Sequence, residues 1–226
     1  MGLEDYESAL MDVPEPKENE LKDELPQHLV KITKNFYIGT TEVTQGQWLA
    51  IMENRPGSQE LWVKNQWELL PVTSISWYMA QRFAEEISKM DKQFSYRLPT
   101  EAEWEYVARA GSEDLRPVPL DALEDYAWYI SNSGDHVQKV ASKKPNAFRV
   151  FDMLGNVWEW VDDWYAADTY LKQGVDPTGP ATGVSRVRRG GSYHCPAHLI
   201  RPGYRAANRP ETVYEVTGFR LAGFRK

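Results

Sequence analysis

Three segments of the chain repeat apolar residues at helical spacing and predict helices. A capping-box pattern at Thr44 begins the first helix, which we expect to run to about Met52. A second capping box at Thr100 begins another helix, which should end at Gly111. Between them, SWYMAQRFAEEISKM predicts a further helix. The apolar stripe of that helix is formed by Trp77, Ala80, Ala84 and Ile87.

Strand-like patterns occur near both ends of the chain, in HLVKITKNFYIGTTEVT, VSRVRRGGSY and VTGFRLAGF. Residues 112–185 contain many Gly, Pro, Asn and Asp residues and no long periodic segment. Residues 1–27 are acidic, which is typical of a solvated arm. We therefore predict one α+β domain over residues 28–226, with about three helices, few short strands and much irregular backbone.

The composition excludes several classes of protein. A formal net charge of -7 argues against nucleic-acid binding. No apolar run is long enough to span a membrane, and no signal peptide opens the chain, so a surface or secreted location would require an upstream export segment. The chain has one cysteine, so it has no intrachain disulfide framework, and its compartment stays open.

Motifs spread along the chain resemble those of a known family. In order, they are YRLPTEAEWEYVARAG, DMLGNVWEW, RRGGSY and GFRLA, and they are similar to motifs of the formylglycine-generating-enzyme (sulfatase-modifying factor) family. The resemblance implies a compact, loop-rich variant of the C-type lectin-like fold. Copper-dependent formylglycine-generating oxidases, iron-dependent sulfoxide synthases and non-enzymatic binding proteins share that fold. The binding proteins include variable proteins that retroelements diversify.

Cys195 decides whether the oxidase reaction applies to this chain. The oxidases resemble one another in holding a cuprous ion between two cysteines after the GGS segment, because soft thiolates suit that ion. Cys195 matches the first cysteine, but Leu199 or Ile200 stands where the second should lie. Neither of these side chains can bind copper. The resemblance therefore implies no bound copper and favours a non-catalytic protein.

Other parts of the enzyme sites are also replaced. An asparagine expected before the GFR motif, part of the oxygen pocket of the oxidases, is replaced by Val216 or Thr217, and Ser192 alone remains of that group. The iron enzymes resemble one another in a separate N-terminal helical bundle that carries their ligands, and this chain has no such bundle. A metal-dependent oxidase or protein-modifying enzyme that uses Cys195 and Ser192 remains the alternative.

Two further kinds of site could involve Cys195. His194, Cys195 and His198 are suitable transition-metal ligands, but the segment offers no obvious fourth ligand, and scatter on a surface loop is the better interpretation. A nucleophile pair of Cys195 and His194 would need side chains that face each other and a third group that orients them. Adjacent residues seldom face each other.

The motif DMLGNVWEW predicts a calcium site on a tight loop. Its oxygen donors would be Asp152, the carbonyl groups of Gly155 and Val157, and Glu159. Calcium prefers such hard ligands, and the glycine permits the turn. In the oxidases that the chain resembles, the matching loop holds a structural calcium. The alternative is a metal-free loop in which both carboxylates accept backbone hydrogen bonds.

The segment between RRGGS and GFRLA predicts a ligand-binding surface. A chemically mixed, aromatic-bearing loop on a rigid scaffold suits recognition, and in the variable proteins this segment is the ligand surface. The alternative is that its residues only pack the loop. The candidate residues are Tyr193, His194, Cys195, Pro196, His198, Leu199, Ile200, Tyr204, Ala206, Asn208, Arg209 and Tyr214.

Arginines near the C-terminus could form an anion site, but the chain has 33 acidic residues and these arginines lie among strand residues. We expect them to be internal partners of carboxylates and loop carbonyls. They are Arg186, Arg188, Arg189, Arg201, Arg205 and Arg220.

These observations favour a non-catalytic domain that binds a protein or other macromolecular ligand through loops around residues 193–216. The specific form of this hypothesis is a variable protein of a diversity-generating retroelement. The alternatives are the Cys195-dependent enzyme and a structural or regulatory accessory protein, with the acidic arm as a tether.

Overall fold

The computed structural model describes residues 1–2, 22–169 and 174–226, and its helices lie in the first part of the chain. Both capping boxes are confirmed. The side chains of Thr44 and Thr100 each accept a hydrogen bond from the backbone of the residue three positions later, and the side chain of that residue accepts one from the threonine backbone. The α-helices are α1 (Gln45–Met52), α2 (Trp77–Met90), α3 (Glu101–Arg109) and the short α4 (Leu123–Tyr126). No helix in these ranges is long and apolar enough to cross a membrane.

The strands of the described residues are short and form three small sheets. They are β1 (Val30–Lys31), β2 (Tyr37–Ile38), β3 (Phe94–Arg97), β4 (Trp158–Trp164), β5 (Gly174–Val175), β6 (Arg186–Arg189), β7 (Ala206–Asn208), β8 (Thr217–Phe219) and β9 (Ala222–Arg225). β1 pairs with β5, and β9 lies between β2 and β3. The largest sheet has the order β7-β6-β4-β8, in which β4 runs antiparallel to β6 and parallel to β8.

The central strand β4 begins inside the motif that predicted a calcium-binding loop. The prediction of a loop is wrong for Glu159, which pairs with Arg189 of β6 in the sheet register. Glu159 and Val161 lie on the face that meets Trp104 of α3, whereas Trp160 packs on the opposite face. The sequence WEWVDDW hides this strand, because its buried charged residues break the alternation of apolar and polar positions.

Apolar clusters cover both faces of β4. On one side Trp48 of α1 stacks on Phe83 of α2, with ring centroids 5.5 Å apart, and Phe219 of β8 meets both rings edge-on. On the other side Trp104 of α3 leads a second cluster. The other buried members of that cluster are Val107, Ala108, Val150, Met153, Val161 and Val187. The sheet is therefore enclosed between α1 and α2 on one face and α3 on the other.

Buried arginines join this sheet to α3. Arg189 of β6 is fully enclosed and forms ion pairs with Glu101 and Glu105. Arg205 binds Glu101 through two hydrogen bonds, of 2.8 Å and 3.0 Å. A planar guanidinium can bind a carboxylate at two points, which fixes geometry as well as charge. The expectation that these arginines are internal partners is confirmed for both.

The predicted solvated arm is wrong for Asp23 and Glu24. Residues 22–24 form a short 3-10 helix, and Glu24 is fully buried in an ion pair with Arg201. Asp23 accepts a hydrogen bond of 2.9 Å from the hydroxyl group of Tyr165. Acidic residues here complete the buried arginine network instead of being solvated. Residues 3–21, the greater part of the predicted arm, lie outside the described residues.

Glu24→Gln should lower the free energy of unfolding by about 3 kcal/mol, because the buried Arg201 guanidinium loses its counter-charge. Urea unfolding followed by tryptophan fluorescence measures the loss. Asp125→Asn is the matched control: Asp125 and its partner Lys144 are largely exposed, so that pair should contribute less than about 1 kcal/mol. Equal losses in the two variants would contradict a structural role for Glu24.

Candidate functional site

The loop that follows β6 begins at two glycines. Gly190 and Gly191 have φ angles of 97° and 79°, in a region that side-chain-bearing residues rarely adopt. A Cβ atom on Gly191 would lie 2.4 Å from Cδ1 of Ile200, so the loop can fold back onto itself only over a glycine. Arg116 then holds the returning segment by donating to the carbonyl groups of Ile200 and Ala197.

Cys195 lies inside this loop rather than on its surface. Its side chain is 8% exposed, and its Sγ atom lies 3.4 Å from Oγ of Ser192. Ile200 is fully buried and belongs to the same apolar cluster as Cys195 and Trp158. The structure therefore brings the two candidate catalytic residues together, and it places an aliphatic side chain beside them.

The neighbouring histidines do not complete a site around Cys195. Nδ1 of His194 lies 2.6 Å from a carboxylate oxygen of Asp135 on the exposed side of the loop, and its ring stacks on Tyr193. The backbone carbonyl of His198 accepts a hydrogen bond from Arg201. Within the described ranges, no three side chains of His, Cys, Asp or Glu are grouped so that they could hold a metal ion.

The predicted ligand-binding residues divide by burial, which corrects part of that prediction. Tyr193, Cys195 and Ile200 are buried and pack the loop, because their apolar bodies belong to clusters beneath it. His194, Arg209 and Tyr214 are exposed. The partly exposed residues are Pro196, His198, Leu199, Tyr204, Ala206 and Asn208. We call the exposed and partly exposed residues together the recognition surface.

Arginines and aromatic rings alternate on the face of the sheet next to this surface. The guanidinium of Arg186 lies between the rings of Trp77 and Trp164, at 3.8 Å and 3.7 Å from their centroids. Arg188, two residues later, also lies near aromatic rings but farther from them, with its central carbon 5.4 Å from the ring centroid of Trp158. The sequence alone does not predict this alternation of arginines and rings. Every second residue of WEWVDDW and of RVRR lies on the same face only if both segments are strands, and the two sets meet only if the strands are paired.

The motif that predicted calcium binding encloses a group of buried carboxylates. Asp152 accepts a 2.7 Å hydrogen bond from the backbone of Ala141, and Oε1 of Glu42 accepts one of 3.0 Å from the side chain of Asn156. Oε2 of Glu42 has no hydrogen-bond partner among the described residues. Burial raises the pKa of Glu42 well above its usual value, and the nearby Asp152 carboxylate raises it further.

Glu159 does not fit the role of a calcium ligand in this arrangement. Both of its carboxylate oxygens accept hydrogen bonds of 2.7 Å from Arg220, and one also accepts from the indole of Trp104. Arg220 and Glu159 are fully buried, so an ion at Glu159 would have to displace a guanidinium. Calcium held by Asp152 and the loop carbonyls stays a prediction, which an unchanged melting temperature of the protein in EGTA would contradict.

Comparison with known proteins shows clear relatives. The sulfatase-modifying factor enzyme 1-like domain family matches residues 8–223. A protein named serine/threonine-protein kinase pkn1, from Chlamydia pneumoniae, is 33% identical over 225 residues, which cover 89% of this chain and 35% of that protein. Formylglycine-generating enzyme from Streptomyces coelicolor is 36% identical over 170 residues, which cover 67% of this chain and 52% of that enzyme.

A solved structure extends these similarities to the fold. Treponema denticola variable protein 1 is 33% identical to this chain, with a TM-score of 0.78 and 86% of each chain covered. The predicted family and the α+β, C-type lectin-like fold are confirmed. The chain spans 35% and 52% of the lengths of the two curated relatives, so both contain regions that it does not match.

Glu159→Gln should lower the free energy of unfolding by about 3 kcal/mol, because Arg220 loses its buried counter-charge. The loss should be the same in excess calcium and in EGTA, since the partner of Glu159 is an arginine. Thermal unfolding in the two media measures it. Glu86→Gln, which breaks the exposed pair with Lys89, is the control and should change stability by less than about 1 kcal/mol. A loss that shrinks in EGTA would make Glu159 a calcium ligand.

Proposed function

Because this chain belongs to the sulfatase-modifying factor enzyme 1-like domain family, we propose that it is a non-catalytic member of that family. It binds a protein or other macromolecular ligand through the recognition surface. In this function the loop after β6 contacts the ligand and catalyses no reaction.

The observation that carries this proposal is the pair Cys195 and Ile200. A cuprous ion bound by thiolates needs at least two of them, and the chain has one cysteine. Leu199 or Ile200 stands where the second thiolate is expected. Ile200 is fully buried in the cluster that contains Cys195, and Leu199 packs against that cluster. The residues of this chain therefore do not fit the copper site of the oxidases.

The construction of the recognition surface supports a binding role. Its residues lie in β7 or in the loops that connect β6 to β7 and β7 to β8. Paired backbone hydrogen bonds hold these strands in the sheet, and buried ion pairs of Arg189 hold β6 to α3. Its exposed members are a histidine, an arginine and a tyrosine. Side chains of such different chemistry, presented on a rigid base, give contact area and specificity at low entropic cost.

Similarity to Treponema denticola variable protein 1 over 86% of the chain supports the more specific form of the proposal, a variable protein of a diversity-generating retroelement. The coding region itself tests this form. A near-copy of the stretch that encodes residues 193–216, differing at adenines and adjacent to a reverse transcriptase gene, is the expected result. A genome without such a copy would contradict the retroelement but would leave ligand binding standing.

Ile200→Cys should create a cuprous site that the unmodified protein lacks, because it supplies a second thiolate near Cys195. Competition with a chromogenic copper(I) chelator should show at least about tenfold tighter binding by this variant. Ile200→Ala, which opens similar space without sulfur, is the control and should behave as the unmodified protein does. Tight copper(I) binding and oxygen consumption with a thiol peptide by the unmodified protein would overturn the non-catalytic proposal and favour an enzyme.

A further inference from the structure

Most buried and partly buried arginines in the described residues have a carboxylate partner. Those that pair in this way are Arg97, Arg109, Arg189, Arg201, Arg205 and Arg220. Arg188 of β6 differs from them, since its side chain forms no ion pair with any described residue. An arginine that is neither paired nor fully exposed is costly to keep and therefore points to a partner outside the chain.

The hydrogen bonds of Arg188 leave one edge of its guanidinium available. Nη1 donates to Oγ1 of Thr217 at 2.7 Å. Nε is enclosed and has no partner, whereas Nη2 is not among the enclosed atoms and forms no hydrogen bond with a described residue. Because the side chain as a whole is partly exposed, Nη2 is the donor that solvent or a ligand can reach.

Aromatic rings surround this guanidinium. Its central carbon lies 5.4 Å from the ring centroid of Trp158, 5.7 Å from that of Trp160 and 5.4 Å from that of Tyr214. Tyr204 of the recognition surface packs on Trp158 at 5.8 Å. Burial lowers the pKa of Arg188 to about 10, so the group stays charged at neutral pH.

We propose that Arg188 is an anion-binding centre beside the recognition surface, and that its Nη2 binds a carboxylate of a protein ligand. Tyr204 and Tyr214 contact the apolar part of the ligand next to that carboxylate. A hydrogen bond from a charged guanidinium to a carboxylate is stronger than one between neutral groups, and a bound carboxylate would pair the charge of Arg188. Trp, Tyr and Arg are the residues that dominate protein-binding energies. This inference deepens the proposed function and rests on it.

Phenylacetate tests this site without knowledge of the natural ligand, and phenylacetamide is its neutral match. By the pocket we mean the guanidinium of Arg188 and the aromatic rings around it. Calorimetry or ligand-observed NMR should show phenylacetate binding with a Kd on the order of 1 mM and at least about tenfold more tightly than phenylacetamide. Equal binding of the acid and the amide, or binding of neither, would overturn the assignment. Copper titration reports on Cys195 and Ile200 instead, so the two proposals can fail separately.

Variants locate the binding on Arg188. Arg188→Met should abolish the preference for phenylacetate, whereas Arg186→Met, which removes a neighbouring arginine held between two tryptophans, should keep it. Retained preference in Arg188→Met would overturn the proposal.

A second variant keeps the test decisive if Arg188→Met fails to fold. Tyr214 is exposed, so Tyr214→Ala should leave the fold intact while it removes one wall of the pocket. Phenylacetate should then bind at least about threefold more weakly. Unchanged binding by a folded Tyr214→Ala protein would show that the ring of Tyr214 is not a wall of the pocket, and it would overturn the proposal.

Discussion

Pairing between buried arginines and buried carboxylates holds this fold together. The strands are short, and β4, the longest, has seven residues, so backbone ladders alone connect few parts of the chain. Arg220 binds Glu159 of β4 and the carbonyl groups of Gly39 and Phe151, which joins three distant segments at one side chain. Removing either member of such a pair leaves an uncompensated buried charge, so each pair contributes to the stability of the fold only while both members are present.

Elements that depend on local chemistry could be predicted from the sequence. The capping boxes at Thr44 and Thr100 mark the starts of α1 and α3 because the participating residues are three positions apart in the chain. β4 could not be predicted in the same way. Its charged residues are satisfied by side chains far away in sequence, such as Arg220 for Glu159, and a local pattern of buried charges does not suggest a strand. The docking of Glu24 was missed for the same reason.

At the candidate site, too, features of the local sequence could be predicted, whereas features that depend on distant residues could not. The absence of a second thiolate could be read from the chain directly, and so could the mixed chemistry of the loop. Burial could not, and three of the residues predicted to bind ligand, Tyr193, Cys195 and Ile200, pack beneath the surface instead. A loop that folds back over Gly191 must bury some side chains to stay ordered, and its spacing does not show which ones.

Two neighbouring arginines of β6 differ in their roles: Arg189 forms structural ion pairs, whereas we propose that Arg188 binds a ligand. Successive residues of β6 face opposite sides of the sheet, so Arg189 meets the carboxylates of α3 and Arg188 meets only rings and a hydroxyl group. The charge of Arg189 is therefore paired within the chain. Arg188 lies among aromatic rings instead, and one of them, Tyr214, belongs to the recognition surface. Copper-dependent catalysis on this scaffold would need a second thiolate near Cys195, whereas the binding that we propose needs a rigid base and a donor that a ligand can reach, for which Nη2 of Arg188 is the candidate.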